Sequence, residues 1–264
     1  MRTLYQAVRK HARQLLESTD FGFRFSLRFF EGGSELHGKP DAPWHNAVLK
    51  NQKEVDRVVK QTQALGLPLM KDLPKNWDSL AALDLILKST DTNACIFDAG
   101  GEYYSMILPW LFLYGYHNLS AGNLVFEKPI RRGPIRYHYS DITQTAFDAN
   151  SYDAITCLSV IEHGVNLRAY FKEMSRILKP GGLLITSADY YVSKIDTQDK
   201  MAYGLPIHIF SQKEIEDALE IAAEFNLSPI GELDFSVEDK VVNWQEFDLR
   251  FTFILFSLQK IVKI

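Results

Sequence analysis

In the stretch Ile96 to Ser105, IFDAGGEYYS, an acidic residue, Asp98, ends an apolar run and is followed at once by Gly100 and Gly101. That pattern reads as a buried strand turning into a helix. Glycine allows a turn through positive φ and keeps Cβ atoms out of the way, so such a turn brings backbone next to a small ligand. Four more apolar runs end in polar residues: Asn123, Asp141, the pair Glu162 and His163, and Asp189 with Tyr190. In an open α/β sheet ligands collect at the carboxyl ends of the strands, near the point where strand order reverses. The five markers therefore point to a single crevice, although each also suits a helix cap or a turn. His163 has the resting pKa range of a general base, and Asp189, Tyr190 and His208 are the other candidates near the strand ends, each histidine having a purely structural reading as well. Cys95 and Cys157 lie in apolar runs without a metal-ligand spacing or a CxxC pair, so no metal centre is expected and both read as reduced core thiols.

The elements that must position these residues begin at Cys95, where strand and helix patterns alternate as in a mostly parallel sheet covered on both faces. ACIFDA, NLSAGNL, IRYHY, YDAITCLSV and LLITSA read as successive strands, and Tyr103 to Tyr116 as an apolar helix. Leu167, Tyr170, Phe171, Met174, Ile177 and Leu178 keep helical spacing behind a capping Asn166, with KPGG at the far end. Ser211 and Glu214 form a capping box, and the tail FDLRFTFILFSLQK reads as a strand buried on both faces.

Residues 1–92 read as a mainly helical lead-in or lid, set against a domain over 93–264. Leu4, Val8, Ala12, Leu15 and Leu16 share one helical face, with Arg9, Lys10 and Arg13 around it. FGFRFSLRFF alternates like a half-exposed strand; its aromatic face suits burial in a core or contact with a lipid surface. Helices follow over about 47–65 and 77–87, where Trp77 is either a lid aromatic or a core residue. The arginines of RRGPIR suit an anionic acceptor or plain solvation.

The middle of the chain, YSDITQTAFDANSYDAITCLSVIEHGVNLRAYFKEMSRILKPGGLLITSA, resembles the core of class I S-adenosylmethionine-dependent methyltransferases over about residues 96–188. The resemblance implies a Rossmann-like open twisted sheet of about seven strands, mostly parallel with an antiparallel last strand, and helices on both faces. It implies S-adenosylmethionine as cofactor, with Asp98, Gly100, Gly101 and Glu102 around its methionine part. Asn123 would then lie at the ribose, Asp141 and Ile142 at the adenine, and Leu158 and Ser159 by the transferable methyl. The series of alternate glycines usual in the family is interrupted here by Glu102 and Tyr104. A carboxylate such as Glu102 suits a cationic sulfonium ligand, whereas it would repel a dinucleotide pyrophosphate; a nicotinamide enzyme would also need a GxGxxG turn.

Composition narrows the partners. With 29 basic and 33 acidic residues the net charge is −4, and no nucleic-acid motif is present, so DNA and RNA are not expected as substrates. MILPWLFLYGY is too short to span a bilayer, and no stable membrane insertion is expected. The expectations are a cytoplasmic enzyme methylating a small-molecule or glycan acceptor, a hydroxyl among the candidates. The alternative is a noncatalytic binding or assembly module that keeps the fold.

Overall fold

The computed structural model describes residues 12–202 and 204–262. Leu4, Val8, Arg9 and Lys10 of the first helix read from the sequence lie outside the described residues. After a helical segment over residues 12–17, the helices are α1 (Asp20–Phe29), α2 (Gln52–Ala64), α3 (Asn76–Ser89), α4 (Ile107–Leu113), α5 (Leu167–Ile177) and α6 (Gln212–Glu224). The strands are β1 (Ala47–Val48), β2 (Ile96–Ala99), β3 (Leu119–Asn123), β4 (Ile130–Arg132), β5 (Ile135–Tyr139), β6 (Tyr152–Leu158) and β7 (Leu178–Tyr190). They continue with β8 (Met201–Ala202), β9 (Leu205–Pro206), β10 (Leu227–Pro229), β11 (Val242–Trp244) and β12 (Leu249–Lys260).

Five strands in the order β5-β3-β2-β6-β7 run parallel. β12 lies antiparallel beside β7, in register from Thr252 opposite Tyr190 to Gln259 opposite Leu183. Four short strands, β1, β4, β10 and β11, extend this to a 10-stranded sheet beyond the seven the resemblance implied, while β8 and β9 form a separate hairpin. β12 shows why such strands read as continuous apolar runs. Phe251, Phe253 and Leu255 enter the core on one face, and Ile254, Phe256 and Leu258 enter the core on the other, as the period-two pleat requires.

The first core holds Trp77, Leu80 and Leu83 of α3 together with Trp110 of α4; the second holds Tyr170, Phe171 and Met174 of α5. Trp77 is fully buried beside Trp44, as a core residue. α5 begins where the Asn166 side chain accepts from Ala169 N–H at 3.0 Å, and the Ser211–Glu214 capping box opens α6.

FGFRFSLRFF is helix α1, and the expected strand is corrected. Thr19 caps it by accepting from Gly22 N–H at 3.1 Å, and Gly22, Phe23, Ser26 and Leu27 are buried, a stripe with the period of a helix. The Phe/Arg alternation misled because Phe21, Phe25 and Phe29, like Arg24 and Arg28, repeat at four as well as at two. The helix expected from Tyr103 shortens to Ile107–Leu113, since Pro109 fits only in a first turn. The helix expected from residue 47 starts at Gln52, because Ala47 and Val48 pair with Leu255 and Ile254 of β12.

Candidate functional site

Strand order reverses between β2 and β6, and the chain turns sharply as it leaves β2. Gly100 sits at φ +81°, and a Cβ there would come within 2.5 Å of Val160 Cγ2. At Gly101 a Cβ would come within 2.2 Å of Asp98 Oδ2. Both glycines are thus fixed by close approach, one to the turn after β6 and one to the carboxylate under it. Asn123 at the end of β3 braces the turn by donating from Nδ2 to the Gly100 carbonyl at 2.6 Å.

Asp98 is 2% exposed. It accepts from Thr156 Oγ1 at 2.7 Å and Ser105 Oγ at 2.8 Å, and no cationic side chain pairs with it among the described residues. Burial pushes its carboxyl up to about 6 in spite of the two hydroxyls. A buried carboxylate supplied with donors but no counter-charge is a place for a cation.

A second buried group faces it from α3. Asp78 accepts from Ser187 Oγ and Ser79 N–H, both at 2.6 Å, and burial pushes it to about 6 as well. Ser187 in turn accepts from Ser159 N–H at 3.0 Å. Ser159 is held at φ +53°, unusual for a residue with a Cβ, and its own Oγ is buried without a partner. Glu162 and Asp189, one strand end further, are both raised, by burial first; Asp189 opposes the Glu162 charge, while a hydrogen bond from Glu162 eases that of Asp189. Burial works against the charge of Lys75, at the start of α3, yet Glu162, Asp189, Asp78 and Asp72 around it raise its pKa.

Asp98, Asp78, Ser159 and Lys75 line one crevice together with Ser79, Gly100 to Glu102, Tyr104 and Ser105 of the turn, and Leu158 and Val160. Three carboxylates, Asp78, Asp98 and Glu102, face one lysine across it. The crevice measures about 40 Å³, room for a few waters, and Tyr104 stands in its wall with 63% of its surface exposed. A larger hollow of about 530 Å³ opens at the amino ends of β2, β6 and β7, around Lys88, Asp91, Asp153 and Lys179, the wrong end of the sheet for a ligand of this fold.

Of the residues named from the sequence, Asp98, Gly100, Gly101, Glu102, Leu158 and Ser159 meet in the crevice. Asn123 reaches it only through Gly100, its Oδ1 being taken by Val125 N–H at 3.2 Å. Asp141 is exposed at the end of β5, accepting from Thr143 N–H at 2.8 Å and Oγ1 at 2.6 Å, with Ile142 buried beside it; neither lines the crevice. His163 is half-buried, and burial together with the Lys75 charge lowers its pKa. His208 stands apart, 3.3 Å from Glu214 Oε1 and 3.4 Å from Lys194 Nζ. Arg132 does not solvate freely: it pairs with the buried Glu17 at 2.7 Å and donates to the Tyr103 carbonyl at 3.0 Å.

Lys75 and Asp78 escaped the sequence reading. The available signal was an aspartate inside NWDSLAALDLILKS, a helix whose first eleven residues are all buried.

Comparison with known proteins agrees with this architecture. Residues 117–186 match the family model described as a methyltransferase domain. The sterol 24-C-methyltransferase of Pneumocystis carinii is 29% identical over 85 residues, which is 31% of this chain and 22% of that protein. The chain thus spans about a quarter of the length of the curated relatives it matches. Among solved structures, an S-adenosylmethionine-dependent methyltransferase from Mesorhizobium loti superposes with a TM-score of 0.51 at 15% identity, over 70% of this chain and 97% of that one. A geranyl diphosphate C-methyltransferase from Streptomyces coelicolor A3(2), in complex with Mg2+, geranyl diphosphate and S-adenosyl-L-homocysteine, gives 0.51 at 15% identity, over 90% and 98%. At such identities the likeness is one of fold.

Proposed function

We propose that this member of the class I S-adenosylmethionine-dependent methyltransferase family moves a methyl group from S-adenosylmethionine to a small-molecule acceptor. The carrying observation is Asp98: a buried carboxylate in the crevice wall, with two hydroxyl donors and no cationic partner among the described residues, beneath the Gly100–Gly101 turn. The excess of carboxylates over lysine in the crevice supports a ligand with two positive centres, a sulfonium and an ammonium. The unpartnered Oγ of Ser159 supports a polar contact at the end of β6.

When bound, S-adenosylmethionine supplies an electrophilic methyl and a neutral thioether leaving group. Asp98 would hold the ammonium of its methionine part, with Ser105 and Thr156 fixing the carboxylate. Asn123 would keep Gly100 in place and offer its remaining capacity to the ribose. Asp141 and Ile142 lie one strand further, where the adenine would extend. The chain's main task is then alignment and exclusion of water, which supplies about 7 kcal/mol or more in well-oriented transfers. An acceptor hydroxyl would need a base: His163, kept neutral by burial and by Lys75, takes that role ahead of His208, which is engaged with Glu214. The sterol and the geranyl diphosphate named for the relatives are small molecules, which supports that class of acceptor here.

One observation favours a second reading. A crevice of about 40 Å³ is far too small for a nucleoside, so its walls, Tyr104 among them, must part before a donor is held there. A noncatalytic module that keeps the fold would have no such need. Calorimetric titration of the full chain with S-adenosylhomocysteine separates the two. Micromolar binding is expected, and silence at millimolar ligand would overturn the enzyme reading in favour of the module.

A further inference from the structure

Helix α1 is apolar on two faces. Phe23 and Leu27 point into the core, which accounts for one aromatic row. The other row remains in solvent: Phe21 is 82% exposed, Phe29 68%, Phe30 57% and Phe25 38%. Phe25 and Phe29 stack at 4.3 Å and Phe30 closes against Phe25 at 6.0 Å, so three of the rings form one continuous aromatic surface. Leu15, just before α1, is 62% exposed as well. Isolated exposed apolar side chains need no explanation, whereas a packed group of rings on the outside of one helix does.

The charge around this face has a sign. Among the described residues at this helix, Arg13, Arg24, Arg28, Arg131 and Arg132 stand against Glu17, Asp20 and Glu31, while the whole chain has 29 basic and 33 acidic side chains. All three acids are engaged: Glu17 is buried against Arg132 and Arg13, Glu31 pairs with Arg13, and Asp20 faces His117 at 3.3 Å and Arg131 at 3.8 Å. Arg28 is exposed among the phenylalanines, with no carboxylate in ion-pair range among the described residues. Arg24 lies over the Phe112 ring at 4.6 Å with no carboxylate in ion-pair range among the described residues, whereas Arg13, over Phe30 at 5.8 Å, is paired with Glu17 and Glu31. In a net-acidic protein, Arg24 and Arg28 thus leave positive charge without an ion-pair partner on the helix that carries the exposed aromatic face.

We propose that this face docks on an anionic lipid surface, with Phe21, Phe25, Phe29 and Phe30 entering the headgroup boundary and Arg28 and its basic neighbours meeting the lipid phosphates. Aromatic rings prefer that boundary, and basic residues beside them supply the second signal that a shallow anchor requires. No helix of the described residues is long and apolar enough to cross a membrane, and docking requires none. The charge pattern selects lipid over a second copy of the chain: two like faces brought together would set positive against positive.

Flotation of the full chain with phosphatidylcholine vesicles, with and without phosphatidylglycerol, tests the proposal. Binding is expected only with the anionic lipid and is expected to fall steeply with added salt. Phe25→Ser/Phe29→Ser should lower it at least about tenfold, because two rings leave the boundary, and Arg28→Glu should lower it without touching a ring. Both changes are at exposed positions, and thermal denaturation of each variant checks that the fold is kept. No flotation with either vesicle, or equal flotation of wild type and both variants, would overturn the proposal. So would a wild-type dimer in sedimentation that Phe25→Ser/Phe29→Ser splits, since the face would then belong to a second copy.

Discussion

Replacing Asp98 by asparagine should move stability and donor binding in opposite directions. The carboxyl is raised from 3.8 to about 6 with burial as the largest cause. At about 1.4 kcal/mol per unit, keeping it ionised at neutral pH costs the fold about 3 kcal/mol. A group raised in the folded state contributes its stability in full below its unfolded pKa and loses it as pH climbs through the folded one. The wild type should therefore weaken between about pH 4 and pH 7 relative to Asp98→Asn, which carries no ionisation there. The amide keeps the size of the carboxyl and can still accept one of the two hydroxyls, from Thr156 or Ser105. Donor binding depends on the same charge in the other sense. Losing a charge-assisted bond to a ligand ammonium costs about 1.5 to 3 kcal/mol, roughly a ten- to hundredfold weaker Kd. In the wild type, affinity should drop about tenfold per unit or more below pH 6, and in the variant the drop should be shallower, Asp78 still titrating there. Denaturant unfolding and titration with S-adenosylhomocysteine across that range read both quantities. Unchanged donor affinity in a folded Asp98→Asn protein would refute the role, leaving Asp98 as the acceptor that ties β2 to Thr156 and Ser105.

Two further substitutions probe the frame around the crevice. Gly101→Ala would set a methyl within 2.2 Å of Asp98 Oδ2, and the displaced turn should cost about 1 to 3 kcal/mol in unfolding free energy together with most donor binding; unaltered binding would show that the turn yields. Arg132→Met removes one of the two arginines held by the buried Glu17 and should cost about 1 to 3 kcal/mol at neutral pH. Burial opposes the Glu17 charge, but Ser26, Arg132 and Arg13 lower its pKa overall, so its stabilisation exists above the unfolded value and fades in acid. The deficit of Arg132→Met should therefore shrink as pH falls below about 4, and a constant deficit would assign it to packing against Phe23 and Tyr103 instead.

The parts of the fold legible in the sequence were those decided locally or by burial on both faces. β12 announced itself as an unbroken apolar run because it packs into two cores. Asn166 and the Ser211–Glu214 box announced α5 and α6 because a cap is satisfied within three residues. α1 was misread because its phenylalanines repeat at two and at four alike, and only Thr19 and Gly22 break the tie. In the crevice, Asp98, Gly100 and Gly101 were visible because strand, acid and turn are contiguous. Asp78 and Lys75 were not, because they arrive from α3, and Asp78 meets Ser187 109 residues later in the chain, a contact that no local pattern encodes. Tyr104 was legible only as a departure from small residues, and its place in the crevice wall depends on how tightly the turn folds.

The position of β12 bears on how the protein is made. β7 is buried along most of its length and needs β12 hydrogen-bonded along one side, yet that partner is encoded about 60 residues downstream. At roughly 5–20 residues per second, a ribosome leaves this edge unsatisfied for on the order of three to twelve seconds. During synthesis the bare margin of β7 is thus the strand most exposed to wrong pairing with a neighbouring nascent chain.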